Sequence, residues 1–142
     1  MATTCTLNLT SDMLSSPINI TASTELKKAG LTSDLDLIEM GRGTIAEGDG
    51  SKTAEFGLPT ALGADKAAKL FFVNKATDPT YYIDIDLHDT NIGRLYAGDW
   101  MFIPWGMNDA ASEFVIEAEP SGATCPYEFA LFQEPQTLVG HS

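Results

Sequence analysis

The chain has 142 residues, 44% of them apolar, which suits a single domain with a real hydrophobic core and argues against disorder over most of its length. Its formal net charge of −12 opposes sequence-independent contact with nucleic acid or with an anionic membrane, because both need an excess of Lys and Arg. Cys5 and Cys125 are too few for a disulfide framework and predict free thiols, with a single bridge between the terminal strands as the alternative.

The opening has no cationic start followed by an apolar run, so no signal peptide is expected, and no stretch is long enough for a membrane-spanning helix. Synthesis and folding in a cytoplasm follow as an expectation. The sequons at Asn8 and Asn19 then read as Thr-rich strand sequence.

Taken in chain order, short β-type runs alternate with turn residues. Cys5, Leu7 and Leu9 alternate with Thr4, Thr6 and Asn8, and Ile18 to Ser23 is β-branched. Ser23–Ala29 and Ala61–Ala68 are the only helical candidates, each long enough for one turn or a loop. Leu35 to Met40 alternates again. Gly41, Gly43, Gly48 and Gly50 predict turns or a mobile loop over Gly41–Ser51, since glycine accepts positive φ.

The second half is more regular. Leu70 to Asn74 reads as a buried strand, and Asp78-Pro79 as a turn. Tyr81, Ile83, Ile85 and Leu87 share one face, with Tyr82, Asp84, Asp86 and His88 on the other. Ile92–Tyr96, Trp100–Pro104, Phe114–Ala118 and Tyr127–Gln133 follow, separated by Ala97-Gly98-Asp99 and Pro120-Ser121-Gly122. Turns about every ten residues predict an all-β fold, a single antiparallel β-sandwich of jelly-roll or immunoglobulin-like type. The sandwich is expected over 25–134, with an extended N-terminal arm or edge strands over 1–24 and a loose tail over 135–142.

Catalytic chemistry is poorly provided for. His88 and His141 are the two histidines, and no serine or cysteine nucleophile can be tied to either. Asp84, Asp86 and His88 share a strand face, but i and i+2 side chains stand nearly 7 Å apart, so a solvated face is expected rather than a metal site. The glycine-rich stretch lacks the Lys-Ser/Thr of a phosphate loop. The expectation is a non-enzyme with no cofactor and no bound metal.

The segment Trp100–Met107 is the most informative. Trp100, Phe102 and Pro104 fall on one face and Met101, Ile103 and Trp105 on the other, so both faces are apolar. Either the strand is covered on both sides within the chain, or one face meets another subunit. Trp100, Phe102, Trp105, Met107 and Arg94 are the candidate interface residues.

From Leu70 to Phe132 the chain resembles small virion proteins of tailed bacteriophages, those of cyanophages and marine phages among them. The residues carrying the resemblance are Phe71-Phe72-Val73-Asn74-Lys75-Ala76-Thr77-Asp78, Tyr81–Ile85, Ile92–Trp100, Phe102–Trp105 and Tyr127–Phe132, and the opening Thr6–Asp12 looks similar. The resemblance implies a structural role and carries no catalytic residues. A capsid decoration (cement) protein on the outer surface of the phage particle is expected. Its partners would be the major capsid protein, other virion proteins or further copies of itself, with a trimer favoured. A neck or tail component, or a carbohydrate-binding receptor-recognition module with Trp100 or Trp105 stacking on a sugar, is the alternative.

Overall fold

The computed structural model describes residues 4–11, 18–25, 36–48, 52–53, 66–87, 90–106 and 114–137. Among them the chain is all-β, with ten strands and no helix. The strands are β1 (Thr4–Ser11), β2 (Ile18–Glu25), β3 (Asp36–Ala46), β4 (Lys52–Thr53), β5 (Lys66–Asn74), β6 (Tyr82–Leu87), β7 (Thr90–Tyr96), β8 (Trp100–Gly106), β9 (Phe114–Glu119) and β10 (Thr124–Thr137). They fall into two compact units, Met1–Leu35 and Asp36–Ser142.

The first unit holds an antiparallel hairpin in which β1 pairs with β2 from Thr4↔Glu25 to Ser11↔Ile18. Cys5, Leu7 and Leu9 occupy one face by alternation, and Leu7 and Leu9 are exposed. Thr6 Oγ1 and Ser23 Oγ share a hydrogen bond of 3.0 Å on the other face.

The second unit holds two four-stranded antiparallel sheets, ordered β3–β10–β5–β8 and β4–β9–β6–β7. Their inward residues form one apolar cluster. Leu70 and Phe72 of β5, Ile83 and Ile85 of β6, Phe114 and Ile116 of β9 and Leu131 of β10 are all essentially inaccessible to water. Each such side chain contributes about 1.5–3 kcal/mol by leaving water. Phe72 stacks on Tyr127 with centroids 5.2 Å apart and meets Phe114 at 6.2 Å. The period-two reading of β6, β9 and β10 thus matches the faces observed, whereas β5, expected to be buried throughout, alternates: Leu70, Phe72 and Asn74 are buried and Phe71 and Val73 half-buried.

Asn74, wholly buried at the end of β5, connects the sheets. Its Nδ2 donates to Leu95 O at 2.8 Å, and its Oδ1 accepts from Ala76 N at 2.9 Å. Its backbone N–H donates to Asp99 O and its carbonyl accepts from Gly98 N. The Asp78 turn forms as expected: Asp78 Oδ1 accepts from Thr80 N and Thr80 Oγ1 at 2.9 and 2.6 Å. Those bonds, from the Thr80 hydroxyl first and its backbone second, lower the Asp78 pKa below the ordinary value. Gly98 and Gly122 sit at positive φ in the two later expected turns.

The glycine stretch corrects the sequence reading. Gly41 and Gly43 lie within β3, opposite Phe129 and Tyr127 of β10. A Cβ on Gly41 would stand 3.0 Å from the Phe129 ring, and one on Gly43 2.6 Å from Tyr127 Cζ. The missing side chains leave room for the two rings to lie across β3, and so the segment pairs instead of turning. Gly48, at φ 85°, does occupy a turn.

Neither helical candidate is helical where it is described: Ser23–Glu25 belongs to β2 and Lys66–Ala68 to β5. Residues 26–29 and 61–65 lie outside the described residues. The last strand runs to Thr137 and so takes in the first three residues of the expected loose tail, with a register shift between Gln133 and Thr137.

Candidate functional site

The residues of interest stand on the outward faces of the two sheets. On β3–β10–β5–β8 the pairing aligns Met40, Ala130, Phe71 and Phe102 in one row and Arg42, Glu128, Val73 and Trp100 in the next. The row spans four strands, about 14 Å at the usual strand spacing. Trp100 is 51% exposed and Met40 69%, large values for such side chains. Phe71 and Trp100 are neighbours with ring centroids 6.3 Å apart. A shallow groove of about 520 Å³ runs along this face between Met40, Arg42, Phe71, Glu128 and Ala130. Lys75 Nζ lies 3.9 Å from Glu128 Oε2, both half exposed, and Arg42 has no ion-pair partner among the described residues.

Both faces of β8 can now be assigned. Met101 and Ile103 pack on the core, while Trp100 and Phe102 look outward. The alternative in which the strand is covered on both sides does not hold at Trp100. The side chain of Trp105 and all of Met107 lie outside the described residues.

Arg94 is on the other sheet. There, β7, β6 and β9 align Tyr96, Tyr82 and Glu119 in one row and Arg94, Asp84 and Glu117 in the next. Arg94 Nε donates to Asp84 Oδ1 at 3.0 Å, and its guanidinium sits 4.5 Å from the centroid of the Tyr82 ring. Tyr82 and Tyr96 are 5.3 Å apart. Hydrogen bonding with Tyr96, then the Asp84 charge and then Tyr82, raise the Arg94 pKa, so it stays cationic. Tyr96 and, in the bulge of β7, Ile92 are exposed. Sequence reading missed this second face, because alternating Tyr, Asp and Glu read as an ordinary wetted strand.

The metal reading finds Asp84 engaged by Arg94, Asp86 Oδ1 buried without a hydrogen-bond partner, and His88 outside the described residues. No cluster of three metal-ligating side chains occurs among the described residues. Cys5 and Cys125 are both free; burial raises the Cys125 pKa, and its thiol donates to Tyr82 O at 3.6 Å. No described helix is long and apolar enough to cross a membrane.

Comparison with protein-family models, curated proteins and solved structures finds no match to this chain.

Proposed function

We propose that the chain is a non-enzymatic structural protein of a phage virion, a capsid decoration protein that stabilises the head by bridging shell subunits on its outer surface. The observation that carries this reading is the outward apolar face of β3–β10–β5–β8, where Met40 and Trp100 are exposed at the two edge strands and Phe71 and Phe102, half-buried, lie in the same two rows. Aromatic and Met side chains of this kind are favoured at the centres of interfaces. The resemblance of Leu70–Phe132 to virion proteins supplies the setting.

The two sheets are then a sandwich of jelly-roll type. Pairings β3–β10, β4–β9, β5–β8 and β6–β7 are those of one long hairpin, and β5–β10 and β6–β9 are those added when the hairpin rolls up. Jelly rolls serve in viral capsids and in lectins. That likeness is at the level of the fold, so the surface has to carry the function. The mechanism is adhesion: contacts that are weak singly hold neighbouring capsomers when symmetry repeats them.

Electron cryomicroscopy of particles assembled with the chain tests the reading. Copies at regular positions on the head, with the Trp100 face against a neighbour, are expected. Particles that lack the chain, or carry it with Trp100 facing solvent, refute it. A second reading, a neck or tail component that binds carbohydrate, draws on the half-exposed Trp100 beside Phe71. Binding on a glycan array that is lost in Trp100→Ala would favour it.

A further inference from the structure

The outward faces of the two sheets are opposite in sign. Among the described side chains, the β3–β10–β5–β8 face carries Arg42 and Lys69, with Lys75 reaching onto it, against Glu128. Those are three of only eight basic residues in a chain of net charge −12. The β4–β9–β6–β7 face carries Asp84, Glu117 and Glu119 against Arg94, and Arg94 is already occupied by Asp84. Each face also has an aromatic side. Trp100 and Phe102 lie at the β8 edge of one, and Tyr82 and Tyr96 on β6 and β7 of the other. Exposed apolar groups flank both charge sets: Met40 and Trp100 on the basic face, Ile92 and Tyr96 on the acidic face.

We propose that the basic outer face of one copy docks on the acidic outer face of the next, head to tail. This rests on the reading of the chain as an assembly protein and specifies how its copies meet. The occupant is a second copy because one chain carries both complementary surfaces. Apolar groups meet apolar groups, and Arg42, which has no ion-pair partner among the described residues, meets Glu117 or Glu119, which have none there either. Such a contact is heterologous, so copies close into a ring or extend as a filament. A sheet face about 14 Å wide and, over the 7 residues of β8, about 23 Å long covers roughly 320 Å², well short of the roughly 800 Å² per partner of a standard interface. A single contact is therefore weak, and closure or attachment to a surface makes it persist.

Sedimentation of the full chain over about 10 μM to 1 mM tests the docking, with charges reversed on one face at a time. Arg42→Glu with Lys75→Glu, and separately Glu117→Lys with Glu119→Lys, are each expected to weaken association by about tenfold or more. The second pair discriminates most sharply. It lowers the net negative charge, so general repulsion between copies alone predicts stronger association, whereas the docking predicts weaker. An equimolar mixture of the two variants should associate again, since each supplies the face the other has lost. Circular dichroism and melting controls should be unchanged, because the substituted side chains lie on the outward surface. A monomer throughout the range, association indifferent to either pair, or strengthening by Glu117→Lys with Glu119→Lys overturns the proposal. Copies found on particles without self-association would overturn the docking and leave the virion role standing. Head-to-tail association by a chain missing from particles would do the reverse.

Discussion

Replacing Asn74 tests whether a single buried amide holds the two sheets together at one end. Asn74→Ala removes the donor to Leu95 O and the acceptor for Ala76 N, both at a site with no access to water. A hydrogen bond contributes about 1 kcal/mol net, and a buried group left unpaired costs about 1–3 kcal/mol. With two groups orphaned, and the backbone bonds of Asn74 to Asp99 and Gly98 retained, the expected loss is about 3 kcal/mol. Asn74→Asp should cost more at neutral pH, because a carboxylate offers Leu95 O no proton and is itself desolvated. Burial raises the folded-state pKa of the new carboxyl above its unfolded value. Stability is therefore retained below the unfolded pKa and lost as pH rises through the folded one, so Asn74→Asp should approach the parent in acid. Urea unfolding followed by circular dichroism at several pH values measures both effects. A loss below about 1 kcal/mol for Asn74→Ala, with unchanged denaturant slope, would refute the reasoning.

Gly43→Ala should destabilise by about 1–3 kcal/mol, because its Cβ would stand 2.6 Å from Tyr127 Cζ and that ring is held by Phe72; thermal melts should rank it above Gly41→Ala, whose nearest contact is 3.0 Å. Thr80→Ala should raise the Asp78 pKa toward its ordinary value, as read by NMR titration. Asp78 is depressed in the folded state, so the contribution of its turn is present above the unfolded pKa and lost as pH falls through the folded one. Iodoacetamide near pH 8 should modify Cys5 first and reach Cys125 only with denaturant, since Cys125 is buried and its thiol pKa is raised; equal rates by mass spectrometry would contradict the burial.

The second half of the fold was legible because alternation reports burial directly. Ile85, flanked by Asp84 and Asp86, could point only inward, whereas at Ile116 and Leu131 the apolar neighbours Val115 and Phe132 blur an alternation that the rest of each strand still carries. Gly41 and Gly43 were misread because glycine signals both a turn and a close approach. What separates the two is Phe129 and Tyr127, more than eighty residues away in sequence and opposite in space. The outward placement of Trp100 and Phe102 was foreseeable from one strand with two apolar faces. Arg94 was grouped with them on proximity in sequence, yet β7 and β8 belong to different sheets, so a turn at Gly98 separates neighbours that a linear reading joins. Asn74 read as the last residue of a buried strand, and nothing local marks a polar side chain as a link between sheets.

Pro104 has a consequence for how crowded copies behave. It lies in β8, at the edge of its sheet, where a proline is tolerated because the donor it lacks is the one that would face solvent. A strand from a neighbouring molecule arriving there finds the ladder interrupted, so backbone pairing cannot zip along the edge. When copies are crowded, that gap disfavours irreversible cross-β pairing along this edge and leaves any contact between copies there to side chains, which can form, be rejected and form again.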